Sequence, residues 1–149
     1  MVTLAQFGAG RIGQIHAGNI VLNGRCRLKA IVDVHAEAAA ALADKTNARV
    51  MTGDRVFADP EIDGVVIASA TNTHADLIEA AARAGKAIFC EKPIDLDSER
   101  VAACLKVVAA VEEQYLSTDI LQEGVMERPV LPPNLETLRL SHFQKVFML

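Results

Sequence analysis

The sequence predicts an α/β fold, a doubly wound parallel sheet, on three observations. Short apolar strands alternate with helix-like stretches through residues 1–111. A glycine-rich turn, Gly8-x-Gly10-x-x-Gly13, joins the first strand to the first helix. Gly10, Asp33, Thr71 and Lys92 all fall at the carboxyl ends of predicted strands, where open parallel sheets bind their ligands.

The elements follow in order. An apolar strand over residues 3–7 runs into the turn, and a helical pattern through Ile12, Ile15, Asn19 and Leu22 leaves it. Each glycine has its own reason. Gly8 permits the tight turn, Gly10 lets the backbone approach a pyrophosphate, and Gly13 lets the helix pack closely on the strand. The amides of Arg11, Ile12 and their neighbours then open a helix N-terminus suited to phosphate. A second strand over 27–32 ends at Asp33, 20 residues past Gly13. An acid there accepts hydrogen bonds from the adenosine ribose and repels a 2′-phosphate, and Val34 and His35 supply no arginine to receive one. The expected cofactor is therefore NAD. The plainer alternative for Asp33 is an acid that ends a strand and caps the next helix.

A helix is expected over 36–45, stopped at Thr46-Asn47, then a brief strand over 49–51 and a polar connection over 59–64. The apolar run over 64–69 reads as a central strand buried on both faces. It opens into Thr71-Asn72-Thr73-His74, whose small polar side chains can cap a helix over 75–84 that stops at Gly85. A fifth strand over 86–90 delivers Glu91-Lys92-Pro93. Asp97 then caps a helix with apolar positions at Val101, Cys104, Leu105, Val108 and Val111.

Composition narrows the function. A chain of 149 residues with a formal charge of −4 and no Lys/Arg run does not present a nucleic-acid surface. No apolar stretch reaches membrane-spanning length, and no basic segment precedes the first strand. Cys26, Cys90 and Cys104 stand in apolar contexts without metal-ligand spacing, which suits reduced, buried thiols in a cytoplasmic protein. No metal is expected.

The glycine turn, the stretch Ala70-Thr-Asn-Thr-His-Ala-Asp76 and above all Gly85-Lys-Ala-Ile-Phe-Cys-Glu-Lys-Pro93 resemble the Gfo/Idh/MocA oxidoreductases, and within them most the bacterial inositol 2-dehydrogenases. The resemblance covers residues 2–111 and implies a Rossmann domain binding NAD. It also implies oxidation of a secondary alcohol of a polyol such as myo-inositol to the ketone. By the same resemblance Lys92 sits beside the nicotinamide and is the catalytic residue, hydrogen-bonding the substrate alcohol and assisting proton movement. Pro93 shapes the turn after it, and Glu91, Lys92 and Pro93 are expected among the cofactor-binding residues. Thr71, Asn72 and His74 correspond to the loop beside the nicotinamide-side ribose. His74 has an equal alternative as a helix-start residue bonded locally, and Arg11 one as a solvated arginine. His35 is a weaker candidate beside the adenine. His16 carries no assigned chemistry.

The resemblance stops at Val111. The family's second, largely β-sheet domain, with its catalytic aspartate and histidine, has no counterpart. Residues 1–111 hold 24 alanines and residues 112–149 none, while Pro129, Pro132 and Pro133 cluster there. Four residues before His142 stands Leu138, so no Asp-x-x-x-His pair occurs. Residues 1–111 are thus expected to form an NAD-binding domain and 112–149 a divergent tail, from a reading-frame shift or gene truncation. The alternative is a genuine short form whose tail packs on the open sheet edge. An edge left bare would invite self-association into a homo-oligomer. Two functions stay open: a truncated polyol dehydrogenase, whose activity alone the missing half puts in question, and a non-catalytic NAD-binding module. Translating the coding DNA past codon 111 in the other two frames tests the frameshift. It predicts a Gly-Phe-Asn-Arg-Arg-like stretch, and neither frame yielding one overturns it.

Overall fold

The computed structural model describes residues 1–121 and 146–147. Six parallel strands, β1 (Val2–Phe7), β2 (Cys26–Val32), β3 (Arg49–Val50), β4 (Gly64–Ile67), β5 (Ala87–Cys90) and β6 (Val146–Phe147), form one sheet in the order β3-β2-β1-β4-β5-β6. Helices α1 (Arg11–Leu22), α2 (Ala36–Thr46), α3 (Gly53–Ala58), α4 (His74–Arg83) and α5 (Ser98–Leu121) connect them. This is the doubly wound sheet expected. Its strand order reverses between β1 and β4, opening a crevice above their carboxyl ends.

Period-two alternation divides the core. Val65 and Ile67 of β4 face one side with Ala5, Phe7, Ile78 and Ile88, whereas Val66 faces the other with Ala17, Ile20, Ile31 and Leu42. All four residues of β4 are buried, as its continuous apolar run predicts.

Helix ends follow local chemistry. Asn47 in the left-handed region (φ 53°) ends α2, and Gly85 (φ 67°) follows the end of α4. Asp97 Oδ1 accepts the Glu99 amide at 2.9 Å at the start of α5.

Four features depart from or add to what the sequence predicts. The sheet-facing stripe of α1 is Gly13, Ala17 and Ile20, while Ile12, Ile15 and Leu22 are exposed. Small residues win there because the helix must approach the strands closely, which larger side chains prevent. Residues 53–58 form a helix that no sequence periodicity announced. Its buried Val56 and the stacking of Phe57 on Phe7, with ring centroids 5.3 Å apart, hold it down. Thr71–Thr73 is a 3₁₀ turn, and no side chain caps α4. Thr73 Oγ1 donates back to the Ala70 carbonyl at 2.7 Å instead. At the edge of β5, which the sequence left open as either bare or covered by the tail, Ile88 and Phe89 pair with Val146 and Phe147 of β6.

Helix α5 continues unbroken across residue 111 to Leu121. Residues 122–145 and 148–149 of the expected tail, including its prolines, Leu138 and His142, lie outside the described residues.

Cys90 and Cys104 are fully buried, and Cys26 is half-buried. Burial pushes the Cys90 thiol up to about 12 and raises Cys104 as well. The thiolate is the reacting species. Native protein at neutral pH is therefore expected to release colour from a chromogenic disulfide reagent at Cys26 alone. Cys90 and Cys104 react only on unfolding, as peptide mapping of the labelled sites would show.

Candidate cofactor and active site

The first turn is built by close backbone approach. Gly8 has φ +103°, and a Cβ there would lie 2.3 Å from the Ala68 carbonyl oxygen at the end of β4. A Cβ on Gly13 would lie 2.2 Å from the Gly8 carbonyl oxygen. Gln6, fully buried, ties these pieces together: its Nε2 donates to the carbonyls of Gly8 and Gly13, both at 2.8 Å. At Gly10 a Cβ would meet nothing within 4 Å. The contrast separates two glycines needed by the fold from one that leaves space for a ligand.

The first hydrogen bond of α1 runs from Gln14 N–H to the Gly10 carbonyl at 2.9 Å. The amides of Arg11, Ile12 and Gly13 before it have no acceptor among the described residues, as expected for the first turn of a helix. With the helix dipole they form an anion site above the turn. Asp33 closes the neighbouring side. Its Oδ2 accepts Ala9 N–H at 2.6 Å and its Oδ1 accepts His35 N–H at 2.8 Å. The carboxylate thus joins the glycine turn to the residue that precedes α2, while no side chain caps α2 itself.

At the end of β4, Ser69 Oγ and Thr73 Oγ1 share a hydrogen bond of 2.7 Å. His74 lies beneath, 2 % exposed, with Nδ1 2.9 Å from the Pro93 carbonyl oxygen and Nε2 3.1 Å from that of Ser69. Both neighbours are acceptors, so the neutral ring serves one at a time and only the doubly protonated ring serves both. At the end of β5, Glu91 Oε1 accepts His16 Nε2–H at 2.6 Å, and the Lys92–Pro93 peptide is cis. Lys92 is exposed, and its ammonium has no partner among the described residues.

These parts border one open groove of about 1500 Å³. Of the sequence-predicted residues, Gly8, Gly10, Arg11, Ile12, Asp33, His35, Thr71, His74, Glu91 and Lys92 line it. Gly13, Asn72 and Pro93 do not. Gly13 is buried under the turn, while Asn72 and Pro93 are exposed. The lining also includes Met51 and Thr52, which lead into α3, and Gly53 and Arg55 of α3, a helix without a hydrophobic period to reveal it in the sequence. His16 was missed for another reason. It stands on the Gly13, Ala17, Ile20 stripe, and a titratable residue on a sheet-facing stripe was the available signal.

The groove fits an extended dinucleotide: an open cradle at Gly10, three helix-start amides without an acceptor among the described residues, and an acid beside the glycine turn. Comparison with known proteins agrees. The profile of the Gfo/Idh/MocA group, described as an oxidoreductase family with an NAD-binding Rossmann fold, matches residues 2–118. The inositol 2-dehydrogenase of Rhizobium meliloti is 56% identical over 115 residues, covering 77% of this chain and 35% of that protein. The crystal structure of a myo-inositol dehydrogenase from Corynebacterium glutamicum superposes with a TM-score of 0.71 at 46% identity, covering 74% of this chain and 34% of that one. That of scyllo-inositol dehydrogenase from Lactobacillus casei, with bound NAD(H) and scyllo-inositol, does so with a TM-score of 0.70 at 30% identity, covering 76% and 34%. The chain spans about a third of the length of these relatives.

The glycines give a direct test. Gly8→Ala is expected to destabilise the fold by about 1–3 kcal/mol or more, from positive-φ strain together with the clash. Gly10→Ala is expected to melt within a degree or two of the parent, because its Cβ points into open space. Thermal unfolding followed by circular dichroism checks both, and equal melting losses would overturn the distinction.

Proposed function

The chain belongs to the Gfo/Idh/MocA oxidoreductases, a family with the NAD-binding Rossmann fold, and from that premise we propose that its groove serves oxidation of a polyol secondary alcohol, with Lys92 as the catalytic residue. One observation carries the proposal. The sheet brings a lysine that has no partner among the described residues, at the end of β5, to the same groove as the glycine turn at the end of β1.

In this reading the chain's residues divide the work. Gly10 and the amides of Arg11, Ile12 and Gly13 receive the pyrophosphate, and Asp33 accepts hydrogen bonds from the adenosine ribose hydroxyls. That carboxylate disfavours a 2′-phosphate, so NAD is preferred over NADP. Thr71 borders the nicotinamide-side ribose, with Asn72 beside it on the loop. The cofactor supplies the hydride acceptor. Lys92 Nζ would hydrogen-bond the reacting hydroxyl and assist departure of its proton as the alcohol carbon is oxidised to the ketone. An inositol-like ring alcohol is the substrate class, by analogy with the named relatives.

A second reading is a domain that holds NAD without turnover. It rests on the glycine turn and the first amides of α1, which suit a dinucleotide whether or not Lys92 acts.

Two measurements on the purified chain separate the readings: NADH binding by fluorescence, and NADH formation at 340 nm with myo-inositol. Binding with turnover that falls about 100-fold or more in Lys92→Ala supports the dehydrogenase. Binding without turnover supports the second reading, and absence of binding overturns both. Asp33→Asn is expected to narrow the preference for NAD over NADP by removing the repelling charge, which paired titrations would detect.

A further inference from the structure

We propose that His16 and His74 are positioning residues for Lys92, holding the residues on either side of it, and that this clamp links the cofactor-binding helix to the catalytic turn. The proposal rests on the reading of Lys92 above.

Lys92 has a long, flexible stem and no partner of its own among the described residues, so its reach is governed by where its backbone is held. Both neighbours are anchored from a distance. Glu91 precedes it, and its carboxylate receives His16 Nε2–H at 2.6 Å from α1, 75 residues earlier. The His16 ring is itself fixed by an edge contact with Phe89, centroids 5.2 Å apart and planes at 69°. Pro93 follows it, and its carbonyl faces His74 Nδ1 at 2.9 Å. The other nitrogen of that ring faces the Ser69 carbonyl at 3.1 Å, so the buried imidazole stands between the ends of β4 and β5 and can donate to either.

The two histidines come from different helices and approach from opposite sides of Lys92 in sequence. His16 belongs to the helix whose first amides form the anion site, so movement of that helix is transmitted to Glu91. Half-buried and hydrogen-bonded to a carboxylate, the pair is more than a solvated contact, which would contribute little. Its alternative role is fold stability alone, and the two roles differ in what they do to Lys92.

The test uses the whole 149-residue chain, with NADH and ADP-ribose as probes. ADP-ribose lacks only the nicotinamide ring and keeps both riboses and the pyrophosphate, so the difference between the probes isolates contacts to the nicotinamide. In Lys92→Ala and in His16→Leu, NADH affinity is expected to fall about fivefold or more, with less than about a twofold change for ADP-ribose. His16→Gln, whose amide nitrogen can replace Nε2 toward Glu91, is expected to recover most of the loss. A residue that acts through Lys92 adds nothing once Lys92 is gone, so the double variant Lys92→Ala/His16→Leu should match Lys92→Ala. His74→Leu should show the same selectivity. If that buried variant fails to melt cooperatively, His74→Asn, which keeps a donor near the Nδ1 position, takes its place. Equal losses for both probes in the histidine variants, or additive losses in the double variant, overturn the clamp while leaving Lys92 in place. Loss of selectivity in Lys92→Ala itself overturns the underlying reading of that lysine and the clamp with it.

Discussion

Close contact between backbone segments at the end of β1 is the constraint on which the rest of this structure depends. The Gly8 carbonyl lies where a Cβ on Gly13 would sit, and Gly8 itself presses on the end of β4. Gln6 holds the arrangement from inside by donating to the carbonyls of Gly8 and Gly13. Its own carbonyl oxygen is buried without a partner among the described residues, so the side chain is oriented wholly by its amide nitrogen. Leaving an acceptor unpaired costs about 1–3 kcal/mol, and two backbone bonds at the turn offset it.

That constraint propagates outward. Because α1 starts hard against the sheet, its sheet-facing stripe must be small, and its larger apolar residues are left on the outside. Because the turn is tight, the first helical amides point into the crevice at the strand-order reversal rather than toward the protein. The groove is thus a consequence of packing beneath it.

The carboxyl ends of β4 and β5 meet the same crevice from the other side. Their joint feature is His74, which stands between Ser69 and Pro93, and its counterpart is His16, which links α1 to Glu91. Neither contact joins sequence neighbours, and both converge on the turn containing Lys92. The site is therefore carried by four elements whose relative positions depend on side-chain hydrogen bonds as well as on the sheet ladder.

The alternation of strands and helices, the glycine turn, Asp33, and the placement of Lys92 at a strand end were legible in the sequence because each is a local pattern. Gly8 and Gly13 reveal themselves as glycines, and an apolar run such as residues 64–67 reveals a strand buried on both faces. The tertiary structure alone decided which face of α1 is buried, that residues 53–58 form a helix over Phe7, and which partners His16, His74 and Gln6 take. It also decided that the Asp33 carboxylate is shared between two backbone amides, one of them within the glycine turn. The physical reason is the same throughout. Periodicity and turn chemistry act over a few residues, whereas a hydrogen bond such as that between His16 and Glu91 exists only after the sheet has brought together residues 75 positions apart.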